Sequence, residues 1–190
     1  MEKLRAKIGS YNDISEEDLD FTLNLYETIE VSKGFTLVEA GQMVKHFYFL
    51  DQGCVYYYMY KDGKTQVLDF FKEGDLFTDL YAYLEEIPSQ TYIKAIEDSV
   101  LYRIKKEDVQ KSFDYSHAVE RFGRLSAQEA FVKSFRRIAH FSNLSNEERY
   151  LRFLDKNPGI FQRVPQYLVA SYLGLTPVGL SKIRKRLSLT

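Results

Sequence analysis

The chain has 190 residues, 45% of them hydrophobic and 28% charged, with a formal net charge of -1. That composition excludes a disordered polymer, and the length suits a domain of roughly 120 residues with a small appendage. No apolar run approaches the roughly 18 residues of a membrane span, the charged N-terminus carries no secretion signal, and the lone Cys54 provides no intrachain disulfide, iron-sulfur cluster or thiolate zinc site. A cytoplasmic protein with no cofactor and no membrane partner is expected, with Cys54 as a buried small hydrophobe.

The first predicted element is a helix from Ser15 to about Thr28, with Ser15 as N-cap and Leu19, Leu23 and Tyr26 on one face. Glycines then recur at 34, 41, 53, 63 and 74, separated by short aromatic and β-branched runs. The stretch "FYFLDQGCVYYYMYKDGKTQVLDFF" reads as two or three strands, with Asp62-Gly63 as a tight hairpin turn. Many short strands near ten residues apart imply a sandwich, barrel or roll.

Residues 76 to 84, "LFTDLYAYL", suit a short helix, and "TYIKAIEDSVLYRI" returns to two strands that close the roll near residue 105. From Asp108 to Phe141 a helical period takes over, with Gly123 as its one interior breaker. Ala118, Leu125, Val132 and Ala139 repeat at seven, and Phe122, Phe131, Phe135 and Ile138 widen the stripe. Such a one-sided helix needs a partner: its own domain, or a second copy of the chain along a two-helix seam. Ser145 and Glu148 form a capping box that opens another helix. "DKNPGIFQRVP" (155 to 165) reads as a loop, or at most a short β-turn region.

The charge is unevenly divided. Residues 131 to 190 hold eleven Lys and Arg against three acids, a balance of +8 that leaves -9 on residues 1 to 130, and no acid follows Asp155. Asymmetry of this kind suits one end that meets a polyanion. The terminal "VPQYLVASYLGLTPVGLSKIRKRL" then reads as two helices and a turn. Pro165 suits a first helical turn, Ala170 a close helix crossing, and Gly174 a left-handed helix end. Thr176 is the expected N-cap and Pro177 the first residue of the second helix, whose Leu180, Ile183 and Leu187 face Val169, Leu173 and Leu175. This is helix-turn-helix spacing. Its outward residues, Val178, Gly179, Ser181 and Lys182, are the candidates for base edges of duplex DNA, with Arg184, Lys185 and Arg186 near phosphates.

A glycine-punctuated roll, a long apolar-faced helix and a terminal helix-turn-helix resemble the Crp/Fnr regulators. The resemblance rests on "KGFTLVEAG" (33 to 41), "FYFLDQGCV" (47 to 55), "FKEGDLFTD" (71 to 79) and "VASYLGLTPVGLSKIRKRL" (169 to 187) and spans nearly the whole chain. It implies an α+β chain: an N-terminal double-stranded β-roll of the cyclic-nucleotide-binding jelly-roll type over 1–107, a long dimerisation helix over 108–141, and a helical winged-helix/helix-turn-helix domain over 142–190. It further implies a homodimer controlling transcription on two-fold symmetric promoter DNA, with RNA polymerase as a partner such regulators meet. Residues Ala118, Phe122, Leu125, Val132, Phe135 and Ala139 would form the dimer helix.

The ligand pocket implied by the resemblance falls on Gly74, Asp75, Thr78, Asp79, Ser89, Gln90 and Thr91. In the cyclic-AMP pattern "G-D-x-x-G-E" the last Gly and Glu meet ribose and phosphate, and an Arg-Ser pair follows. Here Thr78 and Asp79 stand at the Gly-Glu positions, and Ser89 and Gln90 at the Arg-Ser positions. With the arginine gone and Asp79 facing the phosphate, cyclic AMP and cyclic GMP are expected not to bind. Tyrosines 56, 57, 58, 60, 81, 83 and 92 are numerous enough to line a cavity for an unidentified small effector, or to serve as packing residues.

Enzymatic readings find little support. Only His46 of the three histidines lies in the roll, too few for a cupin-like metal centre, and the phosphate-loop and nucleophile-elbow motifs are absent. The alternative that stays open is a cyclic-nucleotide-binding-like ligand or protein-interaction module without sequence-specific DNA binding. Gly179 weakens the second helix by about 1 kcal/mol relative to Ala, and no Arg or Glu occupies its early positions.

Overall fold

The computed structural model describes residues 1–11 and 13–187, so the last three residues of the expected terminal domain lie outside it. Two helices, α1 (Glu2–Gly9) and α2 (Glu16–Leu23), precede the strands β1 (Glu27–Val31), β2 (Thr36–Val38), β3 (His46–Gln52), β4 (Val55–Lys61), β5 (Lys64–Phe71) and β6 (Leu76–Phe77). Helix α3 (Leu80–Glu85), then β7 (Tyr92–Ala95) and β8 (Ser99–Lys105), complete the roll. Two four-stranded antiparallel sheets, ordered β1-β8-β3-β6 and β2-β7-β4-β5, face one another. Asp62 and Gly63 both adopt positive φ and turn β4 into β5, with Lys61 opposite Lys64.

The strands are apolar on both faces because both faces are covered. Leu50, Val55, Phe71, Ile93 and Leu101 fill the space between the sheets. Phe49 and Tyr102 point the other way, into a cluster with Leu4, Ile8, Leu19, Leu23 and Phe122. Tyr58, Val67 and Phe70 point outward from the second sheet into a cluster with Tyr150, Phe153, Leu168, Leu173, Leu180 and Ile183. Tyr56 stacks on Tyr58 and Tyr58 on Tyr92 in that outer layer. Those tyrosines are therefore packing residues beneath the terminal helices rather than the lining of a cavity. Cys54 is fully buried, and burial pushes its thiol up to about 12, which leaves it protonated and unreactive.

Several sequence expectations are corrected. The first expected helix does start after Ser15, whose hydroxyl accepts the Asp18 N–H, but it ends at Leu23. Residues Glu27–Val31 instead pair with β8, Glu27 lying opposite Arg103 and bonding to it. Helix α1 was not anticipated, although Leu4 and Ile8 sit at i and i+4 and both are fully buried. The segment expected as one short helix at 76–84 divides into β6 and α3, with Asp79 as the cap between them.

The expected single helix over 108–141 is two: α4 (Lys106–Tyr115) and α5 (His117–Asn143). The break falls at Ser116, in extended backbone, not at Gly123. The Ser116 hydroxyl accepts from Val119 N–H and donates to Asp18, which ties the joint to α2. Gly123 lies inside α5 because the Phe113 ring of α4 packs on it; an added Cβ would stand 2.3 Å from that ring. Helix α5 runs 27 residues, about 40 Å. Phe122, expected on the dimer face, is buried and meets Tyr11 edge-on, so it belongs to the chain's own core.

The C-terminal helices are α6 (Asn146–Lys156), α7 (Ile160–Arg163), α8 (Gln166–Leu173) and α9 (Pro177–Leu187). The capping box of Ser145 and Glu148 is present. The 155–165 stretch, expected as a loop, contains α7, held by buried Ile160 and Val164. Among the described residues no strand follows β8, so the terminal unit is helical throughout.

Candidate functional site

Helices α8 and α9 meet as the residue types require. Pro165 stands at the N-cap of α8, one position before its first helical residue, a small shift from the expectation. Gly174 ends α8 in the left-handed region at φ 71°, and an added Cβ would also strike the Phe141 ring at 2.7 Å. Thr176 then caps α9: its hydroxyl accepts the Gly179 N–H at 3.0 Å and its carbonyl the Leu180 N–H at 2.9 Å. Leu180 and Ile183 are buried against Val169, Ala170 and Leu173, with Leu187 packed at the margin.

Anchoring those apolar residues turns the opposite side of α9 outward. Val178 is 65% exposed, and Ser181 and Lys182 are exposed beside it, with Gly179 half-buried next to its cap. Lys185 is exposed as well. Arg184 is drawn back over the Phe161 ring at 4.6 Å and reaches Gln166, and Arg186 pairs with Glu147. Two of the three cations expected near phosphates thus rest on the unit's own surface, while Lys182 projects from the helix beside Val178.

The unit is fastened to the roll. Ser171 of α8 donates to the Thr65 carbonyl at 2.8 Å and accepts the Val67 N–H at 2.9 Å, so it completes backbone hydrogen bonding on β5. Arg163 joins Glu73 and Glu97. Burial raises the Glu73 carboxyl, but the Arg163 hydrogen bonds and the Gly53 N–H outweigh it and bring the group down to about 2.

A second constellation sits in the roll. Asp79 is 2% exposed and fully engaged: one carboxylate oxygen takes the Tyr57 hydroxyl at 3.1 Å and the Ala82 N–H at 3.4 Å, the other takes Ser89 and Thr91, both at 2.7 Å. Four donors meet the roughly four lone-pair sites of a carboxylate. Of the seven expected pocket residues, the fold brings Asp79, Ser89 and Thr91 together. Thr78 is turned aside to donate to the His46 carbonyl. Gly74 and Asp75 form the turn after β5: the Gly74 N–H goes to Leu50, and Asp75 accepts the Lys72 N–H. Gln90 is exposed and has no part in the cluster. Tyr57 was not singled out for this role, though its place two residues after inward-facing Val55 is the signal. Burial pushes its hydroxyl well above the ordinary tyrosine range.

Removing the Asp79 carboxylate takes an acceptor from the Tyr57, Ser89 and Thr91 hydroxyls, with Ser89 left only the Thr91 carbonyl and hydroxyl at 3.0 Å. Asp79→Ala is therefore expected to cost about 3 kcal/mol, with the urea midpoint falling and the slope unchanged. A midpoint within error of the parent would contradict the carboxylate's structural role.

On α5, Phe131, Phe135 and Ile138 are 70%, 64% and 65% exposed, and Val132 and Phe141 also face solvent. Phe131 and Phe135 stack on one another at 6.5 Å. Of the expected seam residues, Val132 and Phe135 are exposed, Ala118, Leu125 and Ala139 half-buried, and Phe122 internal. Among the described residues no helix is long and apolar enough to cross a membrane, and no group of three or more His, Cys, Asp or Glu is placed to hold a metal ion.

A closed double-sheet roll with a buried cluster around Asp79, followed by a long helix and a terminal helix-turn-helix, defines a β-roll domain joined to a helical unit. Residues 28–116 match the cyclic nucleotide-binding domain family. No curated protein matches the chain. Among solved structures it is similar to FixK2 of Bradyrhizobium japonicum, at 20% identity and TM-score 0.73 over 86% of this chain and 85% of that one. It is similar also to the c-di-GMP-responsive global regulator CLP of Xanthomonas campestris, at 16% identity and TM-score 0.71 over 92% of each chain. A Crp/Fnr-family transcriptional regulator from Eubacterium rectale gives 16% identity and TM-score 0.72 over 97% of this chain and 88% of that one. Over nearly its whole length the chain has the fold of the Crp/Fnr regulators.

Proposed function

We propose that the protein is a cytoplasmic transcription regulator, not an enzyme, that binds two-fold symmetric duplex DNA as a homodimer. The observation that carries this reading is the outward side of α9. Val178, Ser181 and Lys182 are exposed on a helix whose other side is pinned by Leu180 and Ile183. A helix so held enters a major groove with its N-terminal residues toward base edges, and a two-fold pair would meet successive grooves about 34 Å apart. The exposed apolar stripe of α5 supports the pairing. On this reading residues 1–107 are the sensor-like roll, 108–141 the dimerisation segment and 142–190 the DNA reader. Thr176, Gly179, Lys185 and the partly engaged Arg184 and Arg186 complete the nucleic-acid face. The purified chain should retard duplex DNA at low salt, with affinity falling as salt rises because counterions are released; no retardation across a wide set of duplexes at low salt would sink the reading.

The roll is proposed not to answer to cyclic AMP or cyclic GMP. Asp79 already supplies the anion that Ser89, Thr91 and Tyr57 hold. A cyclic phosphate arriving there would meet a like charge and no arginine. Calorimetry with cyclic AMP is expected to show no saturable heat, and tight stoichiometric binding would overturn this part alone. RNA polymerase is the partner such a regulator would meet at a promoter.

A further inference from the structure

Outside the Asp79 cluster of the roll and the α9 face, a cavity of about 240 Å³ opens where β5, the turn after it, α5, α6 and α8 converge. Seven cations line it, Lys72, Lys133, Arg136, Arg137, Arg149, Arg152 and Lys156, against two carboxylates, Asp69 and Asp75, a balance of +5 with His140 neutral. Only part of that charge is answered within the chain. Lys133 pairs with Asp69 at 2.6 Å, and Lys72 gives its ammonium to the Lys156 carbonyl and Asn157. Arg137 bridges the Val67 and Tyr172 carbonyls at 3.1 Å each. Among the described residues Arg136, Arg152 and Lys156 form no ion pair, and all three are exposed at the rim.

Two further observations separate this pocket from an ordinary solvated basic face. The Arg149 Nε is a buried donor with no hydrogen-bond partner, although the same guanidinium reaches the Leu144 carbonyl and Asn146 through its other nitrogens. A buried donor left unpaired costs free energy. The His140 imidazole is held below its ordinary range by burial and then by Arg152, Lys156 and Arg136, so these three cations act together on one point between α5 and α6. The wall is aromatic: Phe141 lies under Arg137 and Arg149 at 5.0 and 4.9 Å, and Tyr172 packs on Phe70 and Phe153.

We propose that this cavity is a binding site for a compact, multiply charged phosphorylated metabolite. Guanidinium groups match phosphate oxygens as bidentate forks, and Arg136 and Arg152 present theirs exposed at the rim. The volume falls below the roughly 300–1,000 Å³ of sites for drug-sized ligands, which favours an anion of pyrophosphate or sugar-phosphate size over a dinucleotide. An occupant would touch the roll, α5, α6 and α8 at once. Any regulatory meaning rests on the DNA-binding reading, whereas the binding itself does not.

The test uses the full chain with inorganic pyrophosphate as probe and sulfate at equal ionic strength as control. Pyrophosphate is expected to raise the thermal midpoint saturably and to move the His140 ring resonances, leaving those of His117 in place. In a chain carrying Arg152→Gln and Lys156→Gln, whose exposed side chains are not needed for folding, pyrophosphate affinity is expected to fall at least tenfold. Equal stabilisation by sulfate, or pyrophosphate binding unchanged in the double variant, would overturn the site. So would movement of His140 by a short DNA duplex but not by pyrophosphate, which would make the cavity part of a nucleic-acid surface. Failure of duplex DNA to bind anywhere leaves the pyrophosphate result standing, so the two readings fail separately.

Discussion

With Phe135→Glu and Ile138→Glu introduced together, the chain is expected to sediment as a monomer where the proposed parent dimer sediments as a pair, and its affinity for duplex DNA is expected to fall by at least about a hundredfold. The two side chains are 64% and 65% exposed in the single chain, so their replacement is expected to leave the fold and the far-ultraviolet spectrum unchanged. In a paired seam they are dry. Burying a Phe or Ile contributes about 1.5–3 kcal/mol each, and that is replaced by the cost of sinking an unpaired carboxylate. The loss on DNA follows because two linked readers hold the duplex together and one holds it with a single set of contacts. A parent chain that sediments as a monomer at tens of micromolar would remove the basis of the prediction.

Lys182→Ala is expected to weaken duplex binding about tenfold and to lower the salt slope by about one counterion if the ammonium meets a phosphate; if it meets a guanine edge, the loss falls on one base position instead. Stability should stay within about 0.5 kcal/mol of the parent, because Lys182 is exposed and lies outside the apolar contacts of α9. Titration at three salt concentrations, with urea unfolding as control, distinguishes this from a folding defect. Unchanged affinity and an unchanged slope would mean that α9 does not face the DNA as argued.

The terminal motif was legible because each of its residues has a local physical reason to be where it is. Gly174 is needed for a left-handed helix end, Thr176 for a cap, and Leu180 and Ile183 for one buried side, and all four take those places. The Asp62-Gly63 hairpin was legible for the same kind of reason. What escaped was set by contacts distant in sequence. Ser116 breaks the long helix because its hydroxyl finds Asp18, 98 residues away, and Phe122 leaves the exposed stripe because α1 and α2 cover it. No periodicity within 108–141 announces either.

The docking of the terminal helices on the roll was equally hidden. It depends on Arg163 meeting Glu73 and Glu97 and on Ser171 meeting the β5 backbone. One clue was present: "VYYYMY" lacks the alternation of polar residues that a strand with one wet face would carry. For the Asp79 cluster, the resemblance pointed to Asp79, Ser89 and Thr91 but not to the way they close on each other, nor to Tyr57 reaching in from β4. The cationic cavity gathers residues from 69 to 173 and could be read from the sequence only as the excess of positive charge after residue 131.

The most direct measurement is selection of preferred duplexes from a random pool by the purified chain. A consensus made of two inverted half-sites with centres about one helical turn apart is the predicted result, since it requires both an outward α9 and a paired α5. Recovery of sequences no different from the starting pool, at salt low enough for any basic surface to bind, would contradict it.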